Sequence, residues 1–313
     1  MKHISRRDFL QFTTTSGLTL AGAGLLGGGP AAQAIEPFKR KGKPALRLSL
    51  AAYSFREFFK DSNHRRKTDP VGAKQIDLFD FIDYCADHGC DGTELTSYYF
   101  PKEVTHDFLI KLHRHAFLRG VAISGTAVGN NFARPKGPEL DKEIASVKQW
   151  IDHSAVMGAP HIRVFAGAAK DISDAEARKM CISSLEECCD YAGTKGVFLG
   201  LENHGGIVAQ ADGLLEIVKT VKSPWLGVNL DTGNFHTDDP YADLAKCAPY
   251  SVNVQVKVEM GSRAKPEKAD LPRLIKILRD ANYQGFVALE YEAKEDPWQA
   301  VPPLLAELKR LCA

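Results

Sequence analysis

The chain of 313 residues carries 40 Lys and Arg against 39 Asp and Glu, with 44% hydrophobic and 25% charged residues. That balance is ordinary for a globular protein, and without a basic stripe it argues against duplex nucleic acid as a partner. Sixteen Phe, nine Tyr and three Trp argue against a disordered chain.

The first residues differ from the rest. Ser5-Arg6-Arg7-Asp8-Phe9-Leu10 sets paired arginines before an apolar pair, a weakly apolar stretch runs from Gly17 to Leu26, and Pro30 precedes a small-x-small Ala32-Gln33-Ala34. This order of parts is the layout of a twin-arginine export signal. The expected organisation is therefore a leader over residues 1–34 and one domain over 35–313. The leader implies the twin-arginine translocation machinery as a partner and an exported, periplasmic location. The apolar stretch is too short and Gly-rich for a good membrane span, so the mature form is expected to keep none. Seven cysteines, an odd number with no CxxC spacing, read mainly as small core residues on helices.

From Leu46 onward, short apolar runs alternate with longer amphipathic segments. The first run, Leu46–Tyr53, leads through a charged Lys60–Thr68 loop to a helical pattern over Asp77–His88. Gly92–Leu95 is followed by a helix over Thr105–Arg119. Val121–Ser124 is followed by a loop over Asn130–Pro138 and a helix over Leu140–Met157. His161–Phe165 precedes a helix over Ala175–Thr194, and Val197–Glu202 precedes one over Ala211–Val221. Leu226–Asp231 and Ser251–Val258 follow, then a loop over Gly261–Lys268 and a helix over Leu271–Ala281. Phe286–Tyr291 and a helix over Val301–Leu311 end the series. Apolar positions in most helices recur every three or four residues. Gly89, Gly120, Gly158, Gly196 and Gly285 stand where a helix needs a left-handed C-terminal residue. Eight strand–helix units in this length predict an α/β fold, a single (β/α)8 TIM barrel. An open doubly wound sheet would want a GxGxxG after an early strand, and Tyr53-Ser54-Phe55 stands there instead.

A TIM barrel carries its site at the C-terminal ends of its strands. Those ends read Thr93-Glu94-Leu95, Leu201-Glu202-Asn203-His204, Leu230-Asp231-Thr232-Gly233, Gln255-Val256-Lys257 and Leu289-Glu290-Tyr291-Glu292. Strand side chains alternate faces, so with Leu201, Leu230 and Leu289 outward, Glu202, Asp231 and Glu290 point into the barrel. Taken singly, each carboxylate reads as a strand-end residue in a salt bridge or cap. Three at matching positions repel one another, and a divalent cation with oxygen ligands is the usual resolution.

These motifs resemble the sugar isomerase/epimerase superfamily of xylose-isomerase-like barrels, from about Leu46 to Leu311. The resemblance implies one divalent metal, Mn²⁺ first, with Mg²⁺, Co²⁺ or Zn²⁺ as alternatives. It would be held by Glu202, Asp231, Gln255 and Glu290, with Gln255 standing where the family usually has histidine. It further implies Glu202 and Glu290 as acid/base groups, since a proton beside a carbonyl needs a positioned base and a stabilised enediolate. Lys257 is either a holder of a developing alkoxide or an ion-pair partner of Glu94. Arg163 is either substrate-facing or a support for Glu202. His204, His236, Glu94 and Tyr53 complete the expected substrate contacts, with Phe55 beside Tyr53 either a wall or a core residue.

The expected activity is isomerisation or epimerisation of a sugar or keto-sugar through an enediolate. A 3-keto-glycoside lyase or deglycosidase on the same barrel, or a sugar-binding barrel without catalysis, are the alternatives. The substrate is a small sugar or glycoside, and a homo-oligomer is compatible with the reading. Repair of DNA by a related endonuclease fits poorly, because such sites hold several zinc ions among many histidines.

Overall fold

The computed structural model describes residues 35–62, 74–168, 171–262 and 264–313. The leader and most of the Lys60–Thr68 loop lie outside them. Eight parallel strands close into a barrel: β1 (Ala45–Ala51), β2 (Gly92–Thr96), β3 (Ala122–Ala127), β4 (His161–Val164), β5 (Phe198–Glu202), β6 (Leu226–Asp231), β7 (Ser251–Val256) and β10 (Gln284–Leu289). The ring closes where β1 pairs with β10 on one side and β2 on the other. The two remaining strands, β8 (Glu259–Ser262) and β9 (Lys265–Lys268), pair antiparallel in the segment expected to be a plain loop.

Each barrel strand feeds a helix on the outside: α1 (Leu78–Asp87), α2 (His106–Leu118), α3 (Pro138–Met157), α4 (Asp174–Lys195), α5 (Ala211–Thr220), α6 (Pro240–Cys247), α7 (Leu271–Asp280) and α8 (Pro297–Cys312). Helix α6 went unpredicted because its 8 residues offer barely two turns of periodicity. Asp239 caps it, its side chain accepting from the Ala242 amide, and Pro240 opens its first turn. Of the five expected C-cap glycines, Gly89, Gly120, Gly158 and Gly196 take positive φ. Gly285 does not: it lies inside β10, and Asn282, at φ 51°, supplies the left-handed residue after α7. Asparagine tolerates that region better than most residues.

The strands divide two environments. Leu48, Leu50, Leu199, Leu201, Val228, Leu230, Val254, Val256, Val287 and Leu289 face outward and are fully buried beneath the helices. The barrel interior is polar. Ser49 and Ser124 share a 2.7 Å hydrogen bond, and Asn229, Asn253, Gln255 and Glu94 link above them. All seven cysteines are buried and unpaired. Burial pushes the thiols of Cys181, Cys188 and Cys247 up to about 12, which keeps them as inert core residues. Phe55 is a core residue too, with Trp298 at 4.6 Å and Tyr84 at 5.0 Å between ring centroids. No helix among the described residues is long and apolar enough to cross a membrane.

One interior residue makes the barrel pH-sensitive. His161 of β4 lies over Gly125, where an added Cβ would fall 1.9 Å from the imidazole. Its Nε2 is buried without a partner, and burial lowers its pKa from 6.5 to about 4. At this site the native state binds fewer protons than the unfolded chain between those values, so the His161 contribution is full above pH 6.5 and is lost as pH drops toward 4, by up to about 3 kcal/mol. The buried carboxylates Glu94, Asp231 and Glu290, raised toward neutrality, contribute with the opposite sign and are common to wild type and variant, so the test is a difference. Urea unfolding at pH 8 and pH 4.5 should show the stability of the wild type relative to His161→Leu falling by about 3 kcal/mol at the lower pH. A relative stability that does not change with pH would refute the assignment.

Candidate active site

The strand register delivers the site. Asp231 of β6 lies beside Gln255 of β7, and Ala288 of β10 lies on the other side of Gln255. Alternation then turns Glu202, Asp231, Gln255, Lys257 and Glu290 to the interior at the C-terminal mouth, where all are buried.

Two cations organise the carboxylates. Arg163 Nε stands 2.9 Å from Glu202 Oε2, and the same guanidinium donates to the Val128 carbonyl at 3.1 Å. Arg163 is thus a support for Glu202. It also flanks the mouth, stacked 4.0 Å from the Phe165 ring centroid. Lys257 Nζ stands 3.3 Å from Asp231 Oδ2 and 3.2 Å from Glu290 Oε1, and it also pairs with Glu292. It is not the partner of Glu94. That carboxylate sits deeper, accepting from Asn253 at 2.7 Å and Gln255 at 2.6 Å.

Electrostatics separate the two glutamates. Burial works against the Glu202 charge, but Arg163 and then His204 outweigh it and hold the pKa below the usual value. Burial pushes Glu290 up to about 7; Lys257 opposes this and Asp231 adds to it. Burial likewise raises Asp231 to about 6 against the pull of Lys257, and raises Glu94 to about 7 with help from Glu290. The ion pairs and hydrogen bonds match. Both Glu202 oxygens are taken, Oε2 by Arg163 and Oε1 by His204 Nδ1 at 2.7 Å and Asn234 Nδ2 at 2.9 Å. Glu290 Oε2 is buried without a partner. Because a carboxylate only accepts, His204 Nδ1 carries the proton toward Glu202, and Nε2 is the nitrogen left for another partner.

Above this ring opens a cavity of about 310 Å³ lined by Tyr53, Arg163, Glu202, His204, Lys257 and Glu290 among the predicted residues. The size suits a small polar ligand. His236 lines a neighbouring cavity of about 280 Å³, shared with His204 and Lys257, and its Nδ1 bonds the Gly261 carbonyl of the β8–β9 hairpin. Glu94 and Gln255 line neither cavity. Tyr98, Phe165, Asn234 and Glu292 line the mouth without having been predicted. Glu292 was readable in principle, since it shares the parity of Glu290. Tyr98 was not, because it sits on a single turn of 3-10 helix after β2, where no periodicity applies.

The barrel, its polar interior and this mouth match a family model described as "Xylose isomerase-like TIM barrel" over residues 82–310. The chain belongs to that family. A search of curated protein sequences returned no match. Among solved structures, the chain is similar to D-psicose 3-epimerase in the presence of D-fructose, at 16% identity and TM-score 0.65, covering 83% of this chain and 89% of that one. It is similar to 3-keto-D-glucoside 4-epimerase from E. coli at 16% identity and TM-score 0.62, covering 85% and 99%. It is also similar to a xylose isomerase-like TIM barrel protein from Mycobacterium smegmatis in complex with magnesium, at 17% identity and TM-score 0.63, covering 86% and 96%.

As a member of this xylose isomerase-like family, the chain was expected to hold a divalent ion through Glu202, Asp231, Gln255 and Glu290. Their arrangement does not fit one. Gln255 Oε1 accepts from Asn229 at 2.6 Å while its Nε2 donates to Glu94, so flipping the amide would set oxygen against carboxylate. Asp231 Oδ1 accepts from the Gly233 amide at 2.8 Å, and Lys257 stands against Oδ2. Among the described residues, no group of three or more His, Cys, Asp or Glu side chains is placed to share an ion.

The Arg163–Glu202 pair is buried on both sides, so breaking it strands a charge. Arg163→Met should cost about 3–5 kcal/mol in urea unfolding, and most of that cost should vanish when Glu202→Met is added. Simple additivity of the two substitutions would sink this account of the pair.

Proposed function

We propose that the protein is an isomerase or epimerase of a sugar or keto-sugar, acting by proton transfer at a carbon next to a carbonyl. The observation that carries this reading is the open, buried Glu290 Oε2 beside the ammonium that holds its Oε1. A carboxylate raised to about 7 by burial is matched to take and return a proton near neutral pH. The similar folds of a psicose 3-epimerase and a 3-keto-glucoside 4-epimerase support the same class.

In this reading Glu290 takes the proton from the carbon beside the carbonyl. The C–H electron pair forms the C=C bond of an enediolate, and the carbonyl π pair moves onto oxygen. The new oxyanion is held by Lys257, whose contact with the 39% accessible Glu292 is the one a substrate oxygen displaces. Return of the proton from Glu290 to the former carbonyl carbon, with the hydroxyl proton of the first carbon passing to the oxyanion so that its oxygen becomes the new carbonyl, gives the isomer. Delivery of a proton to the first carbon from Nε2 of the His204 imidazolium on the other wall, a form the hydrogen bond to Glu202 favours, gives the epimer, and proton exchange with solvent then resets His204 and Glu290. β5 and β10 are three places apart around the ring, so the two groups reach the sugar from different sides. Glu202 acts by fixing the His204 ring rather than by moving the substrate proton.

Incubation of keto-sugars in D₂O tests this. Deuterium should enter beside the carbonyl without bond cleavage, and Glu290→Gln should slow entry about 10²–10⁴-fold. His204→Asn should stop epimerisation more than isomerisation. Unchanged deuterium entry in Glu290→Gln would refute the assignment.

We also propose that the protein is exported through the twin-arginine route, on the strength of the Ser5–Leu10 motif and the Ala32-Gln33-Ala34 cleavage pattern. Cell fractionation should find the wild type in the periplasm, and Arg6→Lys with Arg7→Lys should retain it in the cytoplasm. Equal distribution of the two proteins would argue for another address.

A further inference from the structure

The mouth of this barrel contains the carboxylates of a cation site and already contains the cation. Of the eight polar side-chain atoms of Glu202, Asp231, Gln255 and Glu290, only Glu290 Oε2 lacks a partner within the protein. One oxygen does not hold a hard divalent ion, which collects six or more. Lys257 Nζ occupies the point that Asp231 and Glu290 share, 3.3 Å from Asp231 Oδ2 and 3.2 Å from Glu290 Oε1, on a side chain only 9% accessible. Arg163 neutralises Glu202 from the opposite wall.

We propose that the Lys257 ammonium is the resident cation of this site, standing where a divalent metal would otherwise bridge Asp231 and Glu290, and that the protein binds and activates its ligand without a metal. The consequence reaches substrate class, and there it rests on the isomerase reading above. An ammonium offers hydrogen bonds and one charge, with no open coordination positions to chelate two oxygens at once. It suits a ligand presenting a single free carbonyl oxygen, as a keto-sugar does, over one recognised by chelation of a vicinal diol. Lys257 also cannot be exchanged for another ion, so the site is insensitive to metal supply at its destination.

The experiment is metal titration of the full chain alongside the D₂O assay. Protein purified without chelator should contain no stoichiometric metal by elemental analysis. Mn²⁺, followed by water-proton relaxation, should bind no tighter than about 1 mM. Lys257→Met leaves Asp231, Glu290 and Glu292 without their cation and should bind Mn²⁺ at least about tenfold tighter, while Lys257→Arg should behave as the wild type. One equivalent of metal retained by the wild type through dialysis would overturn the proposal, and so would equal Mn²⁺ affinity in wild type and Lys257→Met. The wild-type measurement stands even if Lys257→Met fails to fold. The two readings separate cleanly. Deuterium entry abolished by EDTA would refute the resident-cation proposal and leave the isomerase standing. Absence of deuterium entry with weak wild-type Mn²⁺ binding and a gain in Lys257→Met would do the reverse.

Discussion

Carboxylates from three strands and a loop crowd one end of a closed barrel, and Lys257 with Arg163 holds them there. Without a cation between them, like charges a few ångströms apart in a water-poor site repel by several kcal/mol per pair. The two bases divide the work. Arg163 belongs to Glu202, and Lys257 bridges Asp231, Glu290 and Glu292. The floor beneath them is a neutral network of Asn229, Asn253 and Gln255 that carries the buried Glu94. A barrel of this type is usually packed with branched aliphatic side chains. Here the aliphatic side chains lie outside under the helices, and hydrogen bonds fill the inside. That arrangement is stable because most of its polar members are satisfied, with His161 Nε2, Asn253 Oδ1 and Glu290 Oε2 as exceptions.

The same distribution of partners turns two glutamates at similar positions into different groups. Glu202 is saturated by Arg163, His204 and Asn234, so it is ionised and fixed. Glu290 keeps one oxygen open and a pKa near neutrality. An equivalent pair placed symmetrically around a metal would not have to differ in this way. Internal cations therefore do more than balance charge: they decide which carboxylate is free to exchange a proton and which one orients a neighbour.

Much of this was legible beforehand. Alternation alone turned Leu201, Leu230 and Leu289 outward and Glu202, Asp231 and Glu290 inward, because a strand has only two faces and the core takes the apolar one. The glycines after α1, α2, α3 and α4 marked helix ends because only a residue tolerant of positive φ closes them cheaply. Gly285 misled for the same reason in reverse. Asn282 took the left-handed position three residues earlier, and sequence does not rank an Asn against a nearby Gly. Helix α6 was too short to show a period, and the β8–β9 hairpin was too polar to show alternation.

The sequence by itself determined the eight-unit barrel and the carboxylates that face its C-terminal mouth. Each of these follows from local periodicity, which chain order records directly. Tertiary structure alone decided who partners whom. Lys257 and Glu94 are three places apart around the ring, and that pairing was open on paper. The closing of the ring set Lys257 against Asp231 and Glu290, and gave Glu94 to Asn253 and Gln255. Ion pairs in a barrel are chosen by height along the axis as well as by strand, and height is a property of the closed ring that no single strand carries.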